Sequence, residues 1–422
     1  MTERLLQYIW QYQYFNNSNL QTHDGQPLQV LQPGMLNSNQ GPDFLNAKIR
    51  IDATTWAGSV EVHVHASEWN EHGHSNDPNY NNVILHVVWN NDMAPILPFP
   101  ALELNQRVSK ILLQQYDSLM QDRQFIPCES HISKIDSFTI LAWKERLMVE
   151  RLQQKIAFID KLLQQNSFHW EETFWWMLAK NFGSTINGTA FEKMAQSIPL
   201  KIISKHKQQI QQLEALLLGQ AGLLEKEFTE SYPKMLQKEY RFLKKKYGLR
   251  PIHEPVHFLR MRPANFPGIR LAQLAMLIQQ STHLFSSMKD APDCGHAEQL
   301  LQVTANDYWH YHYIFDEATA YKKKTLGKQM TGNIMINTVI PMIYAYGHFN
   351  KIDTFKEKAL AWMPNLETEN NSITRNFEKL GVENKNAFDS QALVQLKNEY
   401  CNQVLCLKCA IGNKILGKDT AK

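Results

Sequence analysis

The chain has 422 residues, of which 43% are hydrophobic and 20% charged, and Lys+Arg (44) nearly balances Asp+Glu (41) for a formal charge of +3. These proportions are those of a packed globular protein and exclude a disordered or low-complexity chain. The charge excludes a polycationic or polyanionic protein but neither demands nor excludes a nucleic-acid partner, because a local basic groove can exist on a balanced surface. At roughly 100–200 residues per domain the length predicts two or three domains. The start, MTERLLQYIW, lacks a basic stretch followed by a long apolar core, so no secretory signal is expected. Five cysteines, an odd number, then point to buried or metal-bound thiols in the cytoplasm rather than disulfides.

In chain order, ERLLQYIWQYQYF (3–15) has apolar residues at helical spacing. From 23 to 105 the pattern changes to turn signals separating short β-type runs: PLQVL, FLNAKIRI, WAGSVEVHVH, NVILHVVW and PALEL. SEWNEHGHSNDPNYNN, between the third and fourth runs, reads as turns only. After Pro127 the pattern is helical: 141–165, WEETFWWMLAKNFG, 206–224, 225–248 and FPGIRLAQLAMLIQQ all carry apolar residues three and four apart. The most apolar run, 334–347, is too short to span a bilayer, so no membrane association is expected. It contains Pro341 and reads as a buried helix with a kink or break. Asn337 within it reads as a hydrogen-bonded core residue. The expected fold is α+β: a small mixed-sheet domain over 1–115, then a large all-helical domain over 116–422 that includes the C-terminal cysteines.

The chemistry concentrates in GPDF and VEVHVH. Alternation along a strand puts Val60, Val62 and Val64 on one face and Glu61, His63 and His65 on the other. Asp43, at the start of the preceding strand, is placed by a hairpin or meander beside Glu61. Two carboxylates with a nitrogen base suit a hard divalent ion, Mg²⁺ or Mn²⁺, whose bound water can attack a phosphodiester. A histidine-bound zinc, drawn from His63, His65, His72, His74 and His86, is the weaker alternative, since the spacing is not standard and His72 and His74 fall in a polar loop where solvated histidine is common. The tail reads YCNQVLCLKCAIG; Cys401, Cys406 and Cys409 have C-x4-C-x2-C spacing, suited to zinc or an iron–sulfur cluster with Cys128, Cys294 or His296 as a fourth ligand. RMRPANFPGIR offers Arg260, Arg262, Asn265 and Arg270 beside a helix start, a candidate nucleic-acid contact for DNA or RNA. His310 and His312, between aromatics in DYWHYHYIF, read chiefly as core.

The order helix, Pro42-Asp43, Glu61-Val62-His63 resembles the PD-(D/E)xK nucleases over the first quarter of the chain. That resemblance implies a metal-dependent nuclease in which Asp43 and Glu61 hold the ion, His63 orients or deprotonates water, and Glu3 on the first helix supports the site. His63 stands where the family has lysine, a pH-sensitive base in place of a fixed charge. Non-catalytic binding on a decayed nuclease-like fold is the alternative. Taken together, NQGPDFLNAKIRI, GSVEVHVHASEWNEHGHSNDPNYNNVILHVVW, LLLGQAGLL, RPANFPGIRLAQLA and CLKCAIG look like an uncharacterised bacterial family, domain of unknown function 2851, along nearly the whole chain. This resemblance implies a cytoplasmic bacterial protein.

Overall fold

Helix α1 (Glu3–Tyr12) buries Leu5, Leu6, Ile9 and Trp10 on one stripe, and its first turn is capped by the Thr2 hydroxyl, which accepts from the Leu5 N–H at 3.3 Å. The structure is a computed structural model that describes residues 1–37, 39–92, 99–121, 124–259, 261–281 and 283–417. After α1 the chain forms β1 (Leu28–Gln32), β2 (Met35–Leu36), β3 (Phe44–Ile51), β4 (Thr54–His65), β5 (Val83–Asn90) and β6 (Ala101–Glu103). They make one sheet in the order β1-β3-β4-β5-β6, with β2 beside β3. β1, β3 and β4 are antiparallel; β5 runs parallel to β4 and β6 parallel to β5. The mixed sheet has the strands expected from the alternating runs. The crossover between β4 and β5 carries one helical turn, α2 (Glu68–Glu71), where only turns were expected.

Two details of the sheet position the site. Asn46 adopts φ +60° and the β3–β4 register shifts between Phe44 and Ala47, a bulge that bends the start of β3. At the sheet centre both faces are covered, so Val60 through His63 and Val83 through Val88 are all buried. Glu61 and His63 therefore lie in the interior, not on a half-solvated face.

The rest of the chain is helical. The helices are α3 (Lys110–Gln121), α4 (Glu129–Ile132), α5 (Ser137–Gln165), α6 (Trp170–Phe182), α7 (Ser184–Ser197), α8 (Leu200–Lys205), α9 (Ile210–Gln220), α10 (Ser231–Tyr247), α11 (Pro267–Gln280), α12 (Leu284–Asp290) and α13 (Cys294–Leu300). They continue as α14 (Lys328–Ile334), α15 (Ile340–Phe349), α16 (Asp353–Trp362), α17 (Ser372–Lys379), α18 (Ala387–Gln395) and α19 (Ala410–Gly417). The fold is α+β. Pro341 does not break its helix: a π-turn over Met335–Val339 joins α14 to α15 and puts the proline in the first turn of α15, where its missing N–H costs little. None of the described helices is long and apolar enough to cross a membrane.

The chain divides into two compact units, Met1–Trp143 with Lys379–Val382 and Gln395–Lys422, and Lys144–Glu378 with Glu383–Val394. This differs from a boundary at 115/116 followed by one helical domain. Within the first unit α19 packs against α3, and Gly417 lies so close to Tyr14 that a Cβ there would stand 2.6 Å from the phenol oxygen. The tail buries Ile411, Ile415 and Leu416 in the unit that carries the sheet. The second unit has a continuous apolar core. In it α9 and α10 approach through Gly219, where a Cβ would meet the Tyr240 ring at 2.2 Å. Gly219→Ala is expected to destabilise the protein by about 1–3 kcal/mol through overpacking. Denaturant unfolding checks this: an unchanged midpoint means the two helices have slack that the structure does not show.

Candidate metal centre

The centre starts from a reciprocal backbone–carboxylate pair. The Asp43 N–H donates to Glu61 Oε2 at 3.0 Å, and the Val62 N–H donates to Asp43 Oδ2 at 3.1 Å. The GPD turn that delivers Asp43 is held by Asn37, which donates to the carbonyls of Gln40 and Pro42 at 3.3 and 3.0 Å. From α1, Gln7 Nε2 lies between Glu3 Oε1 at 3.0 Å and Asp43 Oδ1 at 2.9 Å. The three carboxylates expected to converge, Glu3, Asp43 and Glu61, thus meet through one amide and two backbone N–H groups. Among the described residues no lysine or arginine forms an ion pair with Asp43 or Glu61, whose ion-pair neighbours are histidines.

The imidazoles complete the centre. His63 Nε2 is 3.5 Å and His74 Nε2 is 3.4 Å from Glu61 Oε1, and His72 Nδ1 is 3.2 Å from His63 Nε2. A tetrahedral site with metal–nitrogen bonds of about 2.0–2.1 Å has donor-to-donor edges of about 3.3–3.4 Å. The three observed edges have that length. The ligand atoms of His63, His72 and His74 all lie within 4.8 Å of one another, the one such His/Cys/Asp/Glu set among the described residues. His74 Nε2 is buried and makes no hydrogen bond, so a donor atom is left facing Glu61 without a partner. On its other side His63 Nδ1 is 2.9 Å from His86 Nε2, which fixes the ring, as partners of metal-bound histidines do.

These histidines are positioned by the crossover. Trp69 on α2 is 2% exposed and donates from Nε1 to Ser75 Oγ at 2.9 Å. His74 is sandwiched by stacking on Tyr80, with ring centroids 3.9 Å apart, and by the edge of Trp69 at 5.2 Å. His74, half-buried, thus stands beside Glu61, whereas His72 is exposed, as expected of a loop histidine, with its Nδ1 beside His63. Their signal in the sequence was the H-x-H spacing of HGH, the same as in HVH. His65 points away, exposed, toward Asp92 at 3.8 Å.

Electrostatics follow from burial. Burial first, then the Asp43 charge, raises the Glu61 carboxyl far above its ordinary range. Burial and then the Glu3 charge raise Asp43, opposed by the hydrogen bonds from Gln7 and Val62. Burial and the neighbouring imidazoles lower His63 to about 3; burial lowers His86 to about 4 and also lowers His74. His63 is thus a neutral donor at physiological pH and a poor proton acceptor, unlike the base expected in the lysine position. A carboxylate pair that holds on to protons, beside neutral imidazoles, offers donors from which a cation could displace a proton.

The other expected site residues lie elsewhere. Cys401, Cys406 and Cys409 belong to the first unit with Cys128, whereas Cys294 belongs to the second. The Cys401 thiol, raised by burial, also feels the thiols of Cys409, Cys128 and Cys406. Among the described residues no three of these thiols meet the mutual spacing that the three histidines meet. Asn265 and Arg270 are together, with Arg270 Nη2 donating to Asn265 Oδ1 at 2.6 Å, while Arg262 is exposed on the preceding turn; Arg260 lies outside the described residues. His312 stacks on Tyr308 at 4.0 Å and is held by Glu230 at 3.0 Å, in the interior.

The raised Glu61 carboxyl has a consequence for stability. Its folded value lies above the ordinary 4.5, so the stability it contributes is present below about 4.5 and is lost as pH rises through the raised value. In chelator, Glu61→Gln should therefore melt higher than the natural protein at pH 8, with the difference shrinking toward pH 4.5. Thermal scans at the two pH values read this directly, and a variant that melts lower at pH 8 contradicts it.

No curated protein and no solved structure matches the chain. The profile of one family matches residues 3–372, well over half of the sequence. The chain belongs to that family, described as protein of unknown function, DUF2851.

Proposed function

We propose that the protein is a divalent-metal-dependent nuclease, cleaving a phosphodiester of DNA or RNA by attack of water. The observation that carries the reading is that His63 Nε2 and His74 Nε2 stand 3.5 and 3.4 Å from Glu61 Oε1, beside a second carboxylate that forms no ion pair among the described residues. Glu61, His63, His72 and His74 would hold the ion. A bound divalent ion lowers the pKa of water and stabilises charge on a phosphoryl oxygen. Imidazole donors favour Zn²⁺, Fe²⁺ or Mn²⁺ over Mg²⁺, which shifts the metal preference read from the carboxylates alone. Asp43, half-buried and with a raised pKa, is the proton acceptor, because His63 is committed as a donor to the ion and its basicity is low. Gln7 and the Val62 N–H orient Asp43, and Glu3 shares Gln7 with it.

Two features favour phosphodiesters over other substrates of a metal hydrolase. The acidic residue at the start of β3 and the Glu of β4 stand on adjacent antiparallel strands, and a helical turn then leads to a parallel β5. This is the order of elements on which the PD-(D/E)xK likeness rests. The same donor set also suits a zinc hydrolase of another ester or amide, and substrate choice separates the two.

The test uses chelator-stripped full-length protein reloaded with Mn²⁺, Zn²⁺ or Mg²⁺ singly, on single- and double-stranded DNA and on RNA. Cleavage is expected with Mn²⁺ or Zn²⁺ and should fall by about 10²–10⁴-fold in Asp43→Asn. His74→Ala should weaken metal affinity by more than the roughly 10–100-fold carried by residues that only support a ligand. Cleavage that survives both Asp43→Asn and Glu61→Gln sinks the reading. One tightly held ion with no cleavage of any substrate makes the centre a binding device instead.

A further inference from the structure

A second site lies wholly in the helical unit. A cavity of about 760 Å³ is enclosed by α5, α6, α7, the start of α11 and the π-turn between α14 and α15. That volume is in the range of small-molecule sites. Four cations line it, Arg151 and Lys155 one turn apart on α5, Lys180 on α6 and Arg270 on α11, and no carboxylate does. A wall of four like charges around a concave space is costly unless something anionic fills it.

Among the described residues neither Lys155 nor Arg270 forms an ion pair. Lys155 makes no hydrogen bond among the described residues either; burial first, then the charges of Arg151 and Lys180, push it down to about 8, against the pull of the Glu369 carboxylate. Arg270 is held by two neutral amides, Gln273 at 2.9 Å and Asn265 at 2.6 Å, and by no carboxylate, so its fork is oriented but not neutralised. Lys180 pairs with Glu192 at 2.8 Å, and Arg151 donates from Nε to Gln391 Oε1.

Two backbone features open on the same space. α7 begins at Ser184, which takes φ +54°, and no side chain caps its first turn; Ser184 and Thr185 both line the cavity. The N–H groups of an uncapped helix start attract anions. Opposite, the π-turn sets Asn337 and Thr338 on the wall. Asn337 donates to the Asn333 carbonyl at 3.2 Å, and Asn181 bridges that carbonyl and the Thr338 hydroxyl at 3.2 and 3.1 Å. Asn337 is therefore a cavity residue, not the core residue its apolar neighbours implied. π-turns of this kind recur at functional sites.

We propose that this cavity binds a small polyphosphate ligand of nucleotide size, its phosphates set against Lys155, Arg270, Arg151 and the start of α7, and its polar body against the amides of Asn181 and Asn337. The proposal is independent of the metal centre, and it gives Arg270 and Asn265 a role as part of a concave small-molecule site instead of a nucleic-acid surface.

Calorimetric titration of the full-length protein in chelator, with ATP, ADP, inorganic pyrophosphate, adenosine and a 5′-phosphorylated single-stranded oligonucleotide, tests it. ATP and ADP should bind saturably at one site per chain and adenosine should not. Pyrophosphate should bind more weakly than ATP, because the amides then have no partner. Arg270→Ala and Lys155→Met should each weaken ATP binding at least tenfold, and an unchanged ATP affinity in a Lys155→Met protein of normal melting temperature overturns the proposal. No binding of ATP, ADP or pyrophosphate at millimolar concentration also overturns it. Binding of the oligonucleotide but not of free nucleotides would replace it with a strand-binding surface.

Discussion

The metal centre rests on one reciprocal interaction: the Asp43 N–H held by Glu61 and the Val62 N–H held by Asp43. Two buried carboxylates repel, and burial penalises the charge on each. They stay together because each accepts a backbone N–H from the strand that carries the other. The start of β3 is thereby fixed against β4 at the bulge, where ladder pairing is interrupted. Gln7 ties the same point to α1, so helix, turn and sheet meet on Asp43.

The crossover from β4 to β5 supplies what the sheet lacks. Glu61 and His63 come from a strand buried on both faces, and a polar group there needs a partner on the covering layer. α2 and the turns after it provide His72 and His74, with Trp69 and Tyr80 packed around them. The covering layer thus excludes water and delivers donors at once. The second unit has the opposite electrostatic character: its cavity gathers cations with amides and no acids on the wall. A nearly neutral net charge of +3 thus conceals a carboxylate–imidazole cluster in one unit and a cation-lined cavity in the other.

Much of the frame was legible because it follows from periodicity. Period-2 runs gave the strands and their faces, and the 3.6-residue pattern gave the long helices. The alternation in VEVHVH was enough to place Glu61 with His63, and Pro42-Asp43 to bring a second acid. The cysteines show the limit of spacing arguments. C-x4-C-x2-C is a ligand pattern on paper, yet Cys406 begins a short 3₁₀ turn and Cys409 precedes α19, so the spacing alone does not place the three thiols round one ion. Periodicity likewise does not say which core a helix joins: α3, α4 and α19 belong to the unit that carries the sheet.

The sequence by itself determined the elements, the α+β class and the identity of the central acids, because local propensity and alternation are properties of neighbouring residues. Only the tertiary structure decided that His74 is turned toward Glu61 and His72 toward His63, that burial favours the neutral form of His63, and that Lys155, Lys180 and Arg270 share one cavity. Each depends on burial and on distances between segments far apart in the chain, and it is burial, through desolvation and the loss of screening, that sets the charge state and hence the chemistry of every residue in the two sites.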